Sequence, residues 1–223
     1  MIKIKNLNKI FYENTNKEFY ALKDINLNIK KSSCVVLKGV SGSGKSTLLS
    51  LIATLQKPTS GEIVVENESI AKLPDFHASN FRARKIGFIF QSFNLFNELS
   101  VKDNISLPLI PLGFSQKQID EKVINTLKLA NILHKKDELV SNLSGGEKQR
   151  CAIARALVNN CEIILCDEPT ANLDYENSKN FIEILKELKE LKKTIIIATH
   201  DPIFDNLDFV DSEILIKNGQ ICE

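Results

Sequence analysis

Gly39-Val40-Ser41-Gly42-Ser43-Gly44-Lys45-Ser46-Thr47 satisfies the pattern G-x-x-x-x-G-K-[ST]. Cys34-Val35-Val36-Leu37 before it is a short apolar run that reads as a buried parallel strand. Leu48-Leu49-Ser50-Leu51-Ile52-Ala53 behind it continues as an apolar helix. Strand, glycine loop and helix together form a phosphate cradle. The glycines let the main chain curl with its N–H groups inward, and the helix start adds partial positive charge. Lys45 is then placed to reach β- and γ-phosphates, the Ser46 hydroxyl to hold Mg²⁺, and Thr47, one unit deeper, to touch the α-phosphate. A glycine-rich turn with a chance lysine would show the same letters, but not the same flanks. The stretch predicts a nucleoside triphosphate site.

Working outward, 223 residues fit one large domain, or a core with an inserted subdomain. Apolar content of 43% and charged content of 26% are ordinary for a globular chain. With 29 lysines and arginines against 28 acidic residues there is no net field to gather nucleic acid, so no such partner is expected. The densest basic cluster, Arg82-Ala83-Arg84-Lys85, reads as a solvated face. The five cysteines are odd in number and lack C-x-x-C spacing, which reads as small buried hydrophobes in a reducing compartment. Met1-Ile2-Lys3-Ile4 opens in strand-like alternation rather than as a signal peptide. No apolar run approaches the ~18 residues of a membrane span. The expectation is a cytoplasmic protein whose contact with a membrane comes through a partner.

Residues 1–30 alternate as strands, suggesting a sheet with one wet face, more antiparallel than parallel. Glu62–Val65 and Ile86–Phe90 read as further strands, the second ending at Gln91. Residues 92–114 are apolar but broken by Pro108, Pro111 and Gly113. They either grip a partner or pack a helical subdomain. Ser115-x-x-Gln118 is a capping box, followed by Ile119, Val123, Leu127, Ala130 and Leu133 on one helical stripe. An inserted helical subdomain is placed at 92–150, with the core at 1–91 and 151–223, in a single domain of 1–223. Ile163–Cys166 and Thr194–Thr199 read as buried strands. Residues 176–193 read as a helix with Phe181, Ile184, Leu185, Leu188 and Leu191 inward. Asn218-Gly219 is a hairpin turn. The fold class predicted is α/β: a P-loop NTPase core with an antiparallel β subdomain and an inserted α-helical subdomain.

Asp167 and Glu168 follow four apolar residues at the end of a parallel strand, the edge where open α/β sheets bind ligands. Asp167 suits Mg²⁺, and Glu168, one step on, suits the polarisation of an attacking water. The second glycine-bearing helix start is Leu143-Ser144-Gly145-Gly146-Glu147-Lys148-Gln149-Arg150. One nucleotide has little use for a second cradle on the same chain. The economical reading is that Ser144, Gly145, Gly146 and Glu147 serve a nucleotide bound to another copy.

These motifs, in this order, resemble the nucleotide-binding subunit of an ATP-binding-cassette (ABC) transporter over essentially the whole chain. The resemblance implies a RecA-like core, ATP with Mg²⁺, ATP hydrolysis, and a head-to-tail homodimer with two ATP molecules between the Gly39–Thr47 loop and the partner's Ser144–Gly146. It also implies integral membrane permease subunits as partners, on the inner face of the cell membrane. Gln91 matches the glutamine that senses Mg²⁺ and γ-phosphate, and His200 the switch histidine at the γ-phosphate. Asp174 matches the loop coupling the two sites. Tyr12 matches the aromatic that stacks on adenine, with Phe11 and Tyr20 close by. Within the family, Phe90–Leu95, Leu99–Leu109 and Asp167–Asp174 resemble the lipoprotein-release and macrolide-export type. Ser32-Ser33, Val40 and Ala171 depart from that pattern without removing a group that would touch nucleotide. A force-transmitting ATPase of cell-division type is the alternative. A soluble repair or translation ATPase lacks support without long coiled coils or a second cassette. A non-hydrolysing sensor fits poorly with Lys45, Asp167, Glu168 and His200 all present.

Overall fold

The computed structural model describes residues 2–222. In chain order its elements are β1 (Ile2–Phe11), β2 (Phe19–Ile29), β3 (Cys34–Lys38), α1 (Lys45–Ile52), β4 (Ser60–Val65), β5 (Glu68–Ser69), α2 (Asp75–Lys85), β6 (Ile86–Ile89), α3 (Val101–Ser106), α4 (Gln116–Leu129), α5 (Gly145–Leu157), β7 (Ile163–Asp167), α6 (Tyr175–Glu190), β8 (Thr194–Thr199), β9 (Ser212–Lys217) and β10 (Gln220–Cys222). The order β10-β9-β3-β8-β7-β6 makes one six-stranded sheet, parallel except for the β9–β10 hairpin. A four-stranded antiparallel sheet, β2-β1-β4-β5, lies beside it. This is the expected P-loop core with its antiparallel subdomain and helical insertion.

The central strands are parallel because they are apolar on both faces, as β8, with all six residues buried, shows. Asn218 and Gly219 both take positive φ, +50° and +75°, which a two-residue hairpin turn requires. Three apolar cores result. One joins the antiparallel sheet to α1 and one sheet face through Ile2, Ile25, Leu37, Leu48, Ile52 and Ile196. The second covers the opposite face with Phe181, Leu185, Ile197 and Phe204. The third is helical and collects Val101, Ile105, Leu109, Val123, Leu127 and Val140. Helix α5 belongs to two of them: Ile153 and Ala156 face the sheet, while Cys151, Ala154 and Val158 face the helical cluster.

The apolar stretch 92–114 mostly packs this third core. Val101, Ile105 and Leu109 are fully buried there, and Asn104 staples the segment by accepting from Phe96 N at 2.8 Å and donating to Phe96 O at 2.9 Å. Phe96 and Ile110 remain exposed. The Ser115–Gln118 capping box is present at the start of α4. On α6 the buried stripe is shifted from the one its periodicity suggests: Ile182 is buried and Ile184 half-buried, whereas Leu191 lies beyond the helix end and is 65% exposed. The basic cluster at 82–85 is less free than expected, because it ends helix α2. Arg82 donates to Thr54 O at 2.9 Å, and Lys85 pairs with Glu66 at 2.7 Å. Four of the cysteines are buried and all five are free thiols; burial pushes Cys34 and Cys151 up to about 12.

Glu66 also receives Lys31 at 3.3 Å, and Lys31 reaches Glu162 at 2.9 Å, so four charges tie the antiparallel sheet to β6 and β7. The Lys85 ammonium, foremost, holds the Glu66 carboxyl at about 2, below its ordinary 4.5. A depressed carboxyl contributes stability above its unfolded value and loses it as pH falls toward the folded one. Glu66→Gln therefore lowers the thermal midpoint at pH 7, and the gap to wild type closes between pH 4.5 and about 2. A gap that widens on acidification would reverse the assignment. Gly87 tests the packing beneath α5: a Cβ there would lie 2.3 Å from Ala156 O and 2.9 Å from Ile164 Cδ1. Gly87→Ala is expected to cost about 1–3 kcal/mol by overpacking, read as a fall of several degrees in thermal midpoint.

Candidate nucleotide site

At the C-terminal edge of β3, the loop from Gly39 to Gly44 feeds directly into α1. Gly39 must be glycine, since at φ +147° a Cβ would meet Ile216 O at 2.2 Å. Gly44, at φ +109°, likewise lies against Ala21 O. Helix α1 begins without a side-chain cap, whereas α3, α4, α5 and α6 are each capped by the side-chain oxygen of Ser100, Ser115, Ser144 or Asp174. Its leading N–H groups are thus available to an anion.

Lys45 is only 4% exposed. Its ammonium donates to Gly39 O at 2.6 Å and Val40 O at 3.2 Å, and lies 3.4 Å from Glu168 Oε1. The same carboxylate oxygen is 3.0 Å from His200 Nδ1, while Glu168 Oε2 accepts from His200 N at 3.3 Å. Glu168 takes φ +43°, a left-handed turn at the end of β7, with its N–H bonded to Ala198 O. Lysine, glutamate and histidine, from three segments, form one connected chain.

Ser46 Oγ donates to Asp167 Oδ1 at 2.7 Å. Burial raises the Asp167 carboxyl above its usual range, and the Ser46 hydrogen bond opposes this. One hydroxyl and one carboxylate suit Mg²⁺, which takes few protein ligands and completes its shell with phosphate oxygens and water. Among the described residues no cluster of three or more His, Cys, Asp or Glu could hold a metal by itself. The donor set fits a metal that arrives with a triphosphate.

A cavity of about 270 Å³ joins these groups, lined by Ser41–Thr47, Gln91, Glu168 and His200 on the phosphate side. At its other end stand Phe11, Phe19 and Ala21. Tyr12 does not line it. β1 ends at Phe11, Tyr12 turns away at φ +54° with its carbonyl accepting from Thr15, and its ring is 69% exposed. The aromatic residues lining the cavity are Phe11 and Phe19, paired across β1 and β2, and the Lys9 ammonium lies 5.0 Å from the centre of the Phe11 ring. The pairing could have been seen in the alternation of the two strands, had their register been known.

Ser144, Gly145, Gly146 and Glu147 do not line this cavity either. They start α5 in a closed capping box: Glu147 N donates to Ser144 Oγ at 3.3 Å and Ser144 N to Glu147 Oε2 at 2.8 Å. That second bond, foremost, holds the Glu147 carboxyl below its usual range. Asp174 caps α6, accepting from Asn177 N at 2.8 Å. His77 and His134 are exposed and belong to no site.

The sequence profile of ABC transporters matches residues 22–171. The chain belongs to the ABC transporter family. Over all of its length the cassette is 44% identical to methionine import ATP-binding protein MetN of Vibrio vulnificus, of which it spans 64%. It is 41% identical to an uncharacterized ABC transporter ATP-binding protein of Methanocaldococcus jannaschii, covering 99% of this chain and 95% of that one. The dimeric structure of that archaeal cassette, in a post-hydrolysis state bound to ADP and Pi, superposes with a TM-score of 0.92 at 39% identity. It covers 100% of this chain and 97% of its own.

The relatives overturn the finer subgroup. A likeness to methionine import proteins over the full chain replaces the lipoprotein-release and macrolide-export assignment, and the cell-division alternative is set aside with it. Each of the three stretches that suggested it has a structural role within this chain. Phe90–Leu95 presents the Phe93 and Asn94 carbonyls to Arg155, Leu99–Leu109 fills the helical core through Val101, Ile105 and Leu109, and Asp167–Asp174 holds the carboxylate bonded to Ser46 and the α6 cap.

Phe11→Ala is expected to weaken ATP binding by about 1–3 kcal/mol, the range for base stacking on an aromatic ring, with inorganic triphosphate binding unchanged. Tyr12→Ala should leave both unchanged in equilibrium titration. The opposite ranking would return the base to Tyr12.

Proposed function

We propose that this cassette is the ATP-binding and ATP-hydrolysing subunit of an import-type ABC transporter, working as a head-to-tail homodimer beneath membrane permease subunits. The observation that carries the reading is the Glu168 carboxylate held between the Lys45 ammonium and the His200 imidazole at the mouth of an uncapped helix. The MetN relatives point to methionine or a similar amino acid as cargo.

In the roles proposed, the N–H groups of the Gly39–Gly44 loop and of Lys45, Ser46 and Thr47 surround the phosphates. Lys45 exchanges its carbonyl and carboxylate partners for phosphate oxygens. That exchange frees Glu168, which then orients a water and takes its proton as the water oxygen bonds to the γ-phosphorus and the bond to the β-phosphate oxygen breaks. His200 keeps the carboxylate in place. Ser46, Asp167 and Gln91 would hold Mg²⁺, which supplies charge neutralisation at the phosphates when bound. Phe11 and Phe19 form the seat for the base.

The signature residues Ser144–Glu147 lie outside their own chain's cavity, which supports their use by a second copy. Asp174, at the exposed turn before α6, is assigned to the contact with that copy in the same proposal. The helical cluster of about 92–150 is the unit proposed to follow the nucleotide, with exposed Phe96 and Ile110 as its contacts to the permease. Among the described residues no helix is long and apolar enough to cross a membrane. Attachment at the inner face through the permease is part of the same proposal.

Glu168→Gln is expected to bind ATP normally and lose on the order of 10²–10⁴-fold in turnover. It should accumulate a dimer in size-exclusion chromatography with ATP but not with ADP. Ser144→Ala should cut turnover while leaving the ATP affinity of dilute monomer unchanged. A Glu168→Gln protein that hydrolyses ATP at the wild-type rate would remove the base from the mechanism.

A further inference from the structure

The turn from Glu168 to Asp174, between β7 and α6, is held by three side-chain hydrogen bonds, to Asp201, Gln149 and Gln91. Thr170 Oγ1 donates to Asp201 Oδ2 at 2.7 Å, and Gln149 Nε2 donates to Pro169 O at 2.8 Å. Both of those donors are buried, Gln149 being 2% exposed. The third link is Asn172 Nδ2 to Gln91 O at 2.7 Å, and here both residues are exposed. Water competes for both groups, so this bond adds little to stability.

Its effect is on geometry. β6 ends at Ile89, and Gln91 therefore has no strand neighbour to fix it. Two residues on, Phe93 and Asn94 are left-handed, and Arg155 grips the carbonyls of both, that of Phe93 at 2.6 Å. A Phe93 N to Phe90 O bond at 3.1 Å closes the turn around Gln91 and Arg155 anchors the chain after it, but among the described residues the hydrogen bond to Gln91's own groups is the one from Asn172. The Gln91 residue meanwhile lines the phosphate cavity.

We infer that Asn172 is a positioning residue for Gln91: its amide pins the Gln91 carbonyl so that the Gln91 side chain meets the Mg²⁺-bound phosphates. Through that bond the turn ending in Asp174 and the segment leading into the helical cluster are set by one another. The inference rests on the ATPase reading above.

Wild type, Asn172→Ala, Asn172→Asp and Asn172→Gln are compared in ATP turnover against Mg²⁺ concentration, in ATP affinity with and without Mg²⁺, and in thermal midpoint. Alanine has no donor, a carboxylate only accepts, and glutamine keeps the donor. The alanine and aspartate variants are expected to lose about tenfold in turnover and to need several-fold more Mg²⁺ for half-maximal rate. Their ATP affinity without Mg²⁺ should stay within about twofold, and their midpoints within about 2 °C of wild type. Glutamine should recover a substantial part of the turnover.

Wild-type turnover and Mg²⁺ dependence in both the alanine and aspartate variants would overturn the inference. So would a loss of activity that tracks a loss of thermal midpoint, or a glutamine variant no better than alanine. If wild type binds ATP without hydrolysing it, the ATPase reading fails separately. The gain in ATP affinity on adding Mg²⁺ then decides for Asn172: retained in wild type and glutamine, diminished in alanine and aspartate if the inference holds, equal in all four if it does not.

Discussion

Lys45 carries a positive charge into a place that water scarcely reaches, and the rest of the site is arranged around that fact. A buried ammonium is costly unless its hydrogens are taken up, and here two loop carbonyls and the Glu168 carboxylate take them. The carbonyls belong to Gly39 and Val40, so the loop can close on the lysine only if position 39 passes within contact of β9, which only glycine permits. The carboxylate is delivered by a strand that must end one residue earlier, at Asp167, and then turn left-handed. Loop, strand end and histidine are therefore parts of one electrostatic arrangement. An incoming triphosphate offers the lysine better partners than the ones it has, which makes the phosphate the natural key to the assembly.

Much of this was legible from the chain alone, wherever a local pattern dictates local structure. The glycine loop with its apolar flanks, the capping boxes at Ser115 and Ser144, and the Asn218-Gly219 hairpin each carry their own instructions. Asp167 beside Ser46 also followed, since both motifs end parallel strands at the same sheet edge. What stayed hidden depends on register or on distant partners. Phe11 and Tyr12 are adjacent letters, and only the point where β1 ends decides which residue lines the cavity. Helix α2 was missed because its few apolar residues, with only Ala78 and Phe81 buried, make no stripe. The Asn172 link to Gln91 spans 81 residues and leaves no local trace.

The subgroup assignment failed for a related reason. Residues that fill a core or cap a helix answer to packing inside their own chain, so a likeness within them says little about cargo. In this chain, the stretches that looked distinctive are of that sort: Asn104 is wholly buried and stapled to Phe96, and Asp174 caps a helix.

Helix α5 then limits how such a cassette can transmit force. Its Ala156 carbonyl lies so close to Gly87 that a single methyl would not fit, and Ile153 is buried against the sheet. Gln149 fixes it to Pro169, and Gly146 packs on Asn177 at the start of α6. The signature end of α5 is thus bolted to the core even while its other face closes the helical cluster. Any displacement of that cluster against the sheet has to be taken up at the α5 seam itself, where Cys151, Ala154 and Val158 present small or short side chains. It must also pass through the one other covalent connection, the segment beginning at Gln91. Gln91, which lines the cavity beside the glycine loop, thereby sits at the entry crossing between the core and the helical cluster, as α5 forms the exit.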